Sequence, residues 1–106
     1  MAIAEWVETL RANIAQHPEK LSGVEGTFQF ILTGEEGGAF YAQAAGGRVE
    51  VAEGQAPDPS VTITMSAEDF GELMAGRLNP MTAFMSGRLK LQGDIGLALR
   101  LQSLLG

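Results

Sequence analysis

Three short runs of alternating apolar and polar residues, parted by glycine-rich turns, constrain this chain more than any other feature. In TFQFILT, Phe28, Phe30 and Leu32 alternate with Thr27, Gln29, Ile31 and Thr33, the two-residue period of a strand. Gly34-Glu-Glu-Gly-Gly38 turns the chain, and AFYAQAA sets Phe40, Ala42 and Ala44 on one side. Gly46-Gly47 reads as a two-residue hairpin, because glycine tolerates the positive φ of a type I′ turn. RVEVAE then opposes Val49 and Val51 to Arg48, Glu50 and Glu53. Runs that are apolar on one side only predict an antiparallel sheet with one wet face and one face that other elements must cover.

The covering elements are legible on either side of the meander. Ile3, Trp6, Val7, Leu10 and Ile14 fall at i, i+3, i+4, i+7 and i+11, an amphipathic helix that Pro18 ends. After the proline-bearing loop GQAPDPS, VTITM resumes alternation with Val61, Ile63 and Met65 on one side. Ser66 caps a helix with Asp69 at its third position, a capping-box variant, and Glu68 favours the positive helix end. Gly76 suits a left-handed cap, whereas Gly71, inside that helix, calls for close packing or room for a ligand. Asn79 and Pro80 start a short helix whose buried stripe is predicted to be Met81, Phe84 and Met85, with Gly87 as its stop. RLKLQ forms a strand with Leu89 and Leu91 inward, and Gly93-Asp94 turns into a last helix, Ile95 to Leu105. Its only polar members are Arg100, Gln102 and Ser103. A helix needs one apolar stripe to cover a sheet, and this one has more, so a further apolar body is expected against it. A cavity for an apolar ligand is one such body.

At 106 residues the chain is expected to form one domain. Cysteine is absent, which excludes disulfides, thiol nucleophiles and cysteine metal sites. The start MAIAEWVE carries acids where a secretory signal carries bases, and no apolar run reaches membrane-spanning length; a cytoplasmic protein is expected. The net charge of −6 argues against nucleic acid. Residues 1–72 hold twelve acids against three Lys/Arg, whereas residues 73–106 hold Arg77, Arg88, Lys90 and Arg100 against Asp94 alone. Chance in a small sample accounts for the asymmetry, and transient contact with an anionic headgroup or membrane surface is the sharper reading.

Side chains for chemistry are scarce. Glu68 and Asp69 are adjacent carboxylates, but helix capping accounts for both, and a catalytic pair needs opposed environments. His17, the only histidine, sits where a helix C-terminus stabilises a cation. The glycine runs are not followed by the lysine and helix of a phosphate-binding loop. With no nucleophile–base pair, metal cluster or cofactor motif, no enzymatic activity and no cofactor are expected.

The stretch PDPSVTITMSAEDFGELMAGRLNPMTAFMSGRLKLQGDIGLALRLQSLL resembles the sterol carrier protein type-two family of small lipid-transfer domains. The resemblance rests on the aspartate–proline approach to an alternating strand, the acidic helix start, and an ordered run. That run is G-[RK]-L-N-P-x-x-A-F-x-x-G-[RK]-L-K-x-x-G-[DN]-x-G-L-A-x-[RK]-L-Q. It implies an α/β (α+β type) fold: a five-stranded, mainly antiparallel sheet in order 3-2-1-4-5, helices over one face, and an apolar tunnel between. It also implies a non-enzymatic carrier of fatty acid, fatty acyl-CoA or sterol-like ligands. The tunnel lining expected here is Phe70, Leu73, Met74, Leu78, Met81, Phe84, Met85, Leu97, Ala98, Leu101, Gln102, Leu104 and Leu105, with Gln102 offering a hydrogen bond to a ligand. Many eukaryotic members end in a peroxisomal address resembling Ser-Lys-Leu, whereas this chain stops at Ser103-Leu-Leu-Gly106. The competing expectation is an interaction module whose apolar last helix packs on a partner or forms a homodimer.

Overall fold

In the computed structural model, residues 2–16 and 23–105 are described, with side chains through residue 100. In chain order the elements are α1 (Ile3–Gln16), β1 (Gly26–Thr33), β2 (Gly38–Ala45), β3 (Arg48–Glu53), β4 (Val61–Ser66), α2 (Ala67–Met74), α3 (Pro80–Met85), β5 (Leu89–Gly93) and α4 (Ile95–Leu105). His17 and Pro18 lie outside the described residues. The five strands form one sheet in order β3-β2-β1-β4-β5, as the resemblance implied. All neighbours are antiparallel except β1 and β4, which run parallel with Phe30 opposite Ile63.

The register carries the alternation across the sheet. Phe28 pairs with Ala42 and Val61, Phe30 with Phe40 and Ile63, and Ile63 in turn with Leu91. One face is therefore continuously apolar and buried. Beneath α1 and α2 it is filled with rings. Phe30 and Phe40 stack at 4.8 Å, Phe70 of α2 meets both at 5.8 and 5.7 Å, and Trp6 of α1 meets Phe70 edge-on at 5.0 Å. Such offset and edge-to-face pairs add to the area that the rings bury.

The opposite face is not simply wet. β3 and β4 both run parallel to β1, so residues 54–60 return from the far end of one strand to the start of the other across that face. Gln29 fastens them: its Nε2 donates to the Phe40 and Gly54 carbonyls at 3.1 Å each, and its Oε1 accepts from the Ala56 N–H at 2.7 Å. The loop ends on Thr27, whose carbonyl accepts from the Ser60 N–H and whose N–H donates to Ser60 Oγ. Gln29 is thus a buried polar side chain on the outer side, and its bonds offset the cost of its desolvation.

The helix ends follow the capping residues. Ser66 Oγ accepts from the Asp69 N–H at 3.0 Å, Asn79 Oδ1 from the Met81 and Thr82 N–H groups, and Asp94 Oδ1 from the Leu97 N–H. The capping-box expectation needs one revision, because the Asp69 carboxylate pairs with the Arg88 guanidinium at 2.8 Å. That bond ties the start of α2 to the approach to β5. Leu97 then closes α4 over Gly26, where any side chain would collide with it.

Candidate functional site

The residues expected to line an apolar site divide into two groups. Phe70, Leu73 and Leu78 are buried core, as are Leu97 and Ala98 on α4, and Met74 is partly buried against that core. Met81, Phe84 and Met85 are not buried. They are 46%, 44% and 77% exposed, and Ala83 is the buried residue of α3. The expected stripe is therefore corrected. With Asn79 and Pro80 fixing the start of a six-residue helix, the small Ala83 faces inward and the long side chains face outward. The i, i+3, i+4 spacing is real, but it marks an uncovered face.

Two residues of α4 belong with that group although neither was assigned to the site from sequence. Ile95 and Leu99 are 48% and 56% exposed. Their signal was the nearly all-apolar composition of the last helix. Among the described residues, the large exposed hydrophobics all lie on α3 and α4, and both helices pack against the edge strand β5. The side chains of Leu101, Gln102, Leu104 and Leu105 lie outside the described residues. Among the described side chains, α3 and α4 thus leave Met81, Phe84, Met85, Ile95 and Leu99 exposed. Surface hydrophobics scattered singly are ordinary, whereas five confined to two helices beside one strand make those helices the candidate site.

A second concavity, of about 820 Å³, lies between α1, the β1–β2 turn and α2. Trp6, Gly71 and Met74 contribute to its wall, and Glu35, Glu68, Glu72 and Arg77 to its polar lining. Arg77 grips Glu72 through Nε and Nη2 at 2.7 and 3.2 Å. That bidentate hydrogen bonding holds the Glu72 carboxyl below its ordinary pKa and raises that of Arg77. Sequence reasoning singled out Gly71 but not its neighbour: a Cβ there would stand 3.5 Å from Trp6 Cη2 and Cζ2.

Among the described residues no group of three or more His, Asp or Glu is placed to hold a metal. Nor is any described helix long and apolar enough to cross a membrane. The two carboxylates weighed for acid–base chemistry are separated in role. Glu68 borders the second concavity, and Asp69 is engaged by Arg88, whose own pKa that contact raises.

Comparison with known proteins agrees with this architecture. The solution structure of sterol carrier protein domain 2 of Helicoverpa armigera superposes with a TM-score of 0.80 at 30% identity, covering 95% of this chain and 83% of that one. The apo sterol carrier protein 2 of Yarrowia lipolytica gives 0.77 at 22% identity, covering 93% of this chain and 85% of that one, a likeness of fold. Hydroxysteroid dehydrogenase-like protein 2 of Xenopus tropicalis is 38% identical over 89 residues, 83% of this chain. The chain spans about a fifth of the length of that relative, 21%. Finally, residues 7–106 match the model of the SCP-2 sterol transfer family. The chain belongs to that family.

Proposed function

We propose that this domain is a non-enzymatic lipid carrier that holds the apolar chain of a fatty acid, fatty acyl-CoA or sterol-like molecule against α3 and α4. One observation carries the reading: Met81, Phe84, Met85, Ile95 and Leu99 are left exposed together on two helices of an otherwise well-buried core. Their chemistry suits a lipid. Methionine adapts to irregular apolar shapes, and each buried methylene contributes roughly 0.8 kcal/mol, so a long alkyl chain needs few polar contacts. The bound chain completes the cover that the open face lacks, turning the face into one wall of a tunnel. Arg100, on α4, supplies positive charge for a carboxylate or phosphate head.

A second reading has its own support. The chain matches only a fifth of its dehydrogenase-like relative, so in longer proteins the same face has neighbouring domains to dock on. Fluorescent fatty-acid binding by the parent protein and by Met85→Glu separates the two. Met85 is the most exposed of the five, so the substitution leaves the melting temperature nearly unchanged. The carrier reading expects lipid binding by the parent and a loss of about tenfold or more in the variant, as a charge is placed against the alkyl chain. A parent protein that binds no lipid, and whose apolar face is covered by a second copy, overturns it.

A further inference from the structure

Sulfur is unevenly placed in this molecule. The chain has five methionines and no cysteine, so an oxidant that reacts at sulfur meets only thioethers. Met1 lies outside the described residues. Met65 on β4 is 3% exposed in the core, and Met74 at the end of α2 is partly buried against it. Met81 and Met85, by contrast, are 46% and 77% exposed. They stand four residues apart on α3, which sets them on one side of that helix, with Phe84 exposed beside them. The cause is local, since Asn79 and Pro80 fix the start of α3 and Ala83 takes the inward position. Among the described residues, the thioethers most open to water are therefore confined to the face proposed for the lipid.

We propose that Met81 and Met85 form a reversible oxidation site, with a hydroperoxide as the oxidant, and that their sulfoxides release the apolar chain held against α3 and α4. The inference rests on the carrier reading for its consequence, but not for its chemistry. With hydrogen peroxide, the thioether sulfur attacks one peroxide oxygen. The S–O bond forms as the O–O bond breaks, and the proton of the transferred oxygen passes to the departing hydroxide, which leaves as water. Sulfur is oxidised by two electrons and the peroxide is reduced by two. A methionine sulfoxide reductase reverses the step with two thiols, which become a disulfide while the oxygen leaves as water. Access of the oxidant to sulfur decides which methionines react first. The product sets a polar S=O acceptor where an alkyl chain would lie, and covering that acceptor without a donor is unfavourable. Oxidation of Met65 would break the core, whereas neither Met81 nor Met85 belongs to it. The fold therefore survives a change that the apolar face does not.

The test adds hydrogen peroxide to the whole protein and follows sulfoxide formation by mass spectrometry. Trypsin cuts after Arg77 and Arg88, so Met81 and Met85 leave in one peptide, apart from Met65 and Met74. Fluorescent fatty-acid binding and melting temperature are measured on the same samples. Met81 and Met85 should oxidise about tenfold or more faster than Met65 and Met74, and a saturating fatty acid should slow both. Fatty-acid affinity should then fall about tenfold or more while the melting temperature holds, and methionine sulfoxide reductase with dithiothreitol should restore it. The double variant Met81→Leu, Met85→Leu keeps the face apolar without sulfur, and leucine suits an exposed helix. Whatever its starting affinity, that variant should not change on peroxide addition. Oxidation no faster at Met81 and Met85 than at Met65 and Met74, binding unchanged when both are fully oxidised, or a double variant as sensitive to peroxide as the parent would each overturn the proposal. A parent protein that binds no fatty acid before peroxide overturns the carrier reading instead, and the release with it. The order of oxidation still decides whether α3 is the oxidation site.

Discussion

The middle of this sheet and its β5 edge treat the same kinds of side chain in opposite ways. Over β1 and β2, α1 and α2 bury Trp6 and Phe70 against Phe30 and Phe40 in a set of ring contacts of 4.8 to 5.8 Å. Beside β5, α3 and α4 leave Phe84, Met81, Met85, Ile95 and Leu99 largely in water. Hydrophobicity therefore does not decide burial in this chain; what stands opposite the side chain does. The first region has a long helix and a bulky strand pair to close on. The second has an edge strand of five residues, Leu89–Gly93, and a helix of six. The difference teaches that apolar side chains are buried where long elements close over them and stay exposed where the covering elements are short.

Paired substitutions test that contrast. Phe70→Ala removes a fully buried ring with three aromatic neighbours, and should cost about 3–5 kcal/mol in urea unfolding. The same change at Phe84 should cost well under half as much, because nearly half of that residue already meets water. Equal losses at the two positions would break the comparison. Gln29→Ala should fall between them, at about 1–3 kcal/mol, because it strands the Ala56 N–H and the Gly54 carbonyl. Faster amide exchange at Ala56 would show that the loop, not the sheet, has been released. Gly71→Ala should be the smallest change and of opposite sign, a gain of up to about 1 kcal/mol, since the added methyl makes ordinary contact with Trp6. A loss there would mean that the first region is packed more tightly than its geometry indicates.

The sheet was readable because its strands combine an apolar side with a more polar one, so the alternation of Phe28, Phe30 and Leu32 or of Val61, Ile63 and Met65 survives in the residues themselves. The helix starts were readable because Ser66, Asn79 and Asp94 act on N–H groups two or three residues away. What could not be read was cover. Periodicity located the stripe of Met81, Phe84 and Met85 but not whether anything lay over it, and Ala83, a residue of little hydrophobic signal, takes the inward position. Gln29 shows the converse. It was assigned with the polar residues of β1, and it is buried because a loop 25 residues on crosses above it. Asp69 likewise finds Arg88, 19 residues away, a choice that local helix rules do not contain. The concavity beside Trp6 was invisible for the same reason, since its walls come from three separated segments.

The claim that α3 and α4 stay open for a lipid is tested most directly by amide hydrogen exchange with and without a saturating fluorescent fatty acid, at two protein concentrations. The account predicts slower exchange on lipid addition across α3, β5 and the described first turns of α4, little change in α1 and α2, and no dependence on protein concentration. Protection of α3 and α4 that rises with protein concentration and ignores the lipid would contradict it, and would show that a second copy of the chain covers this face.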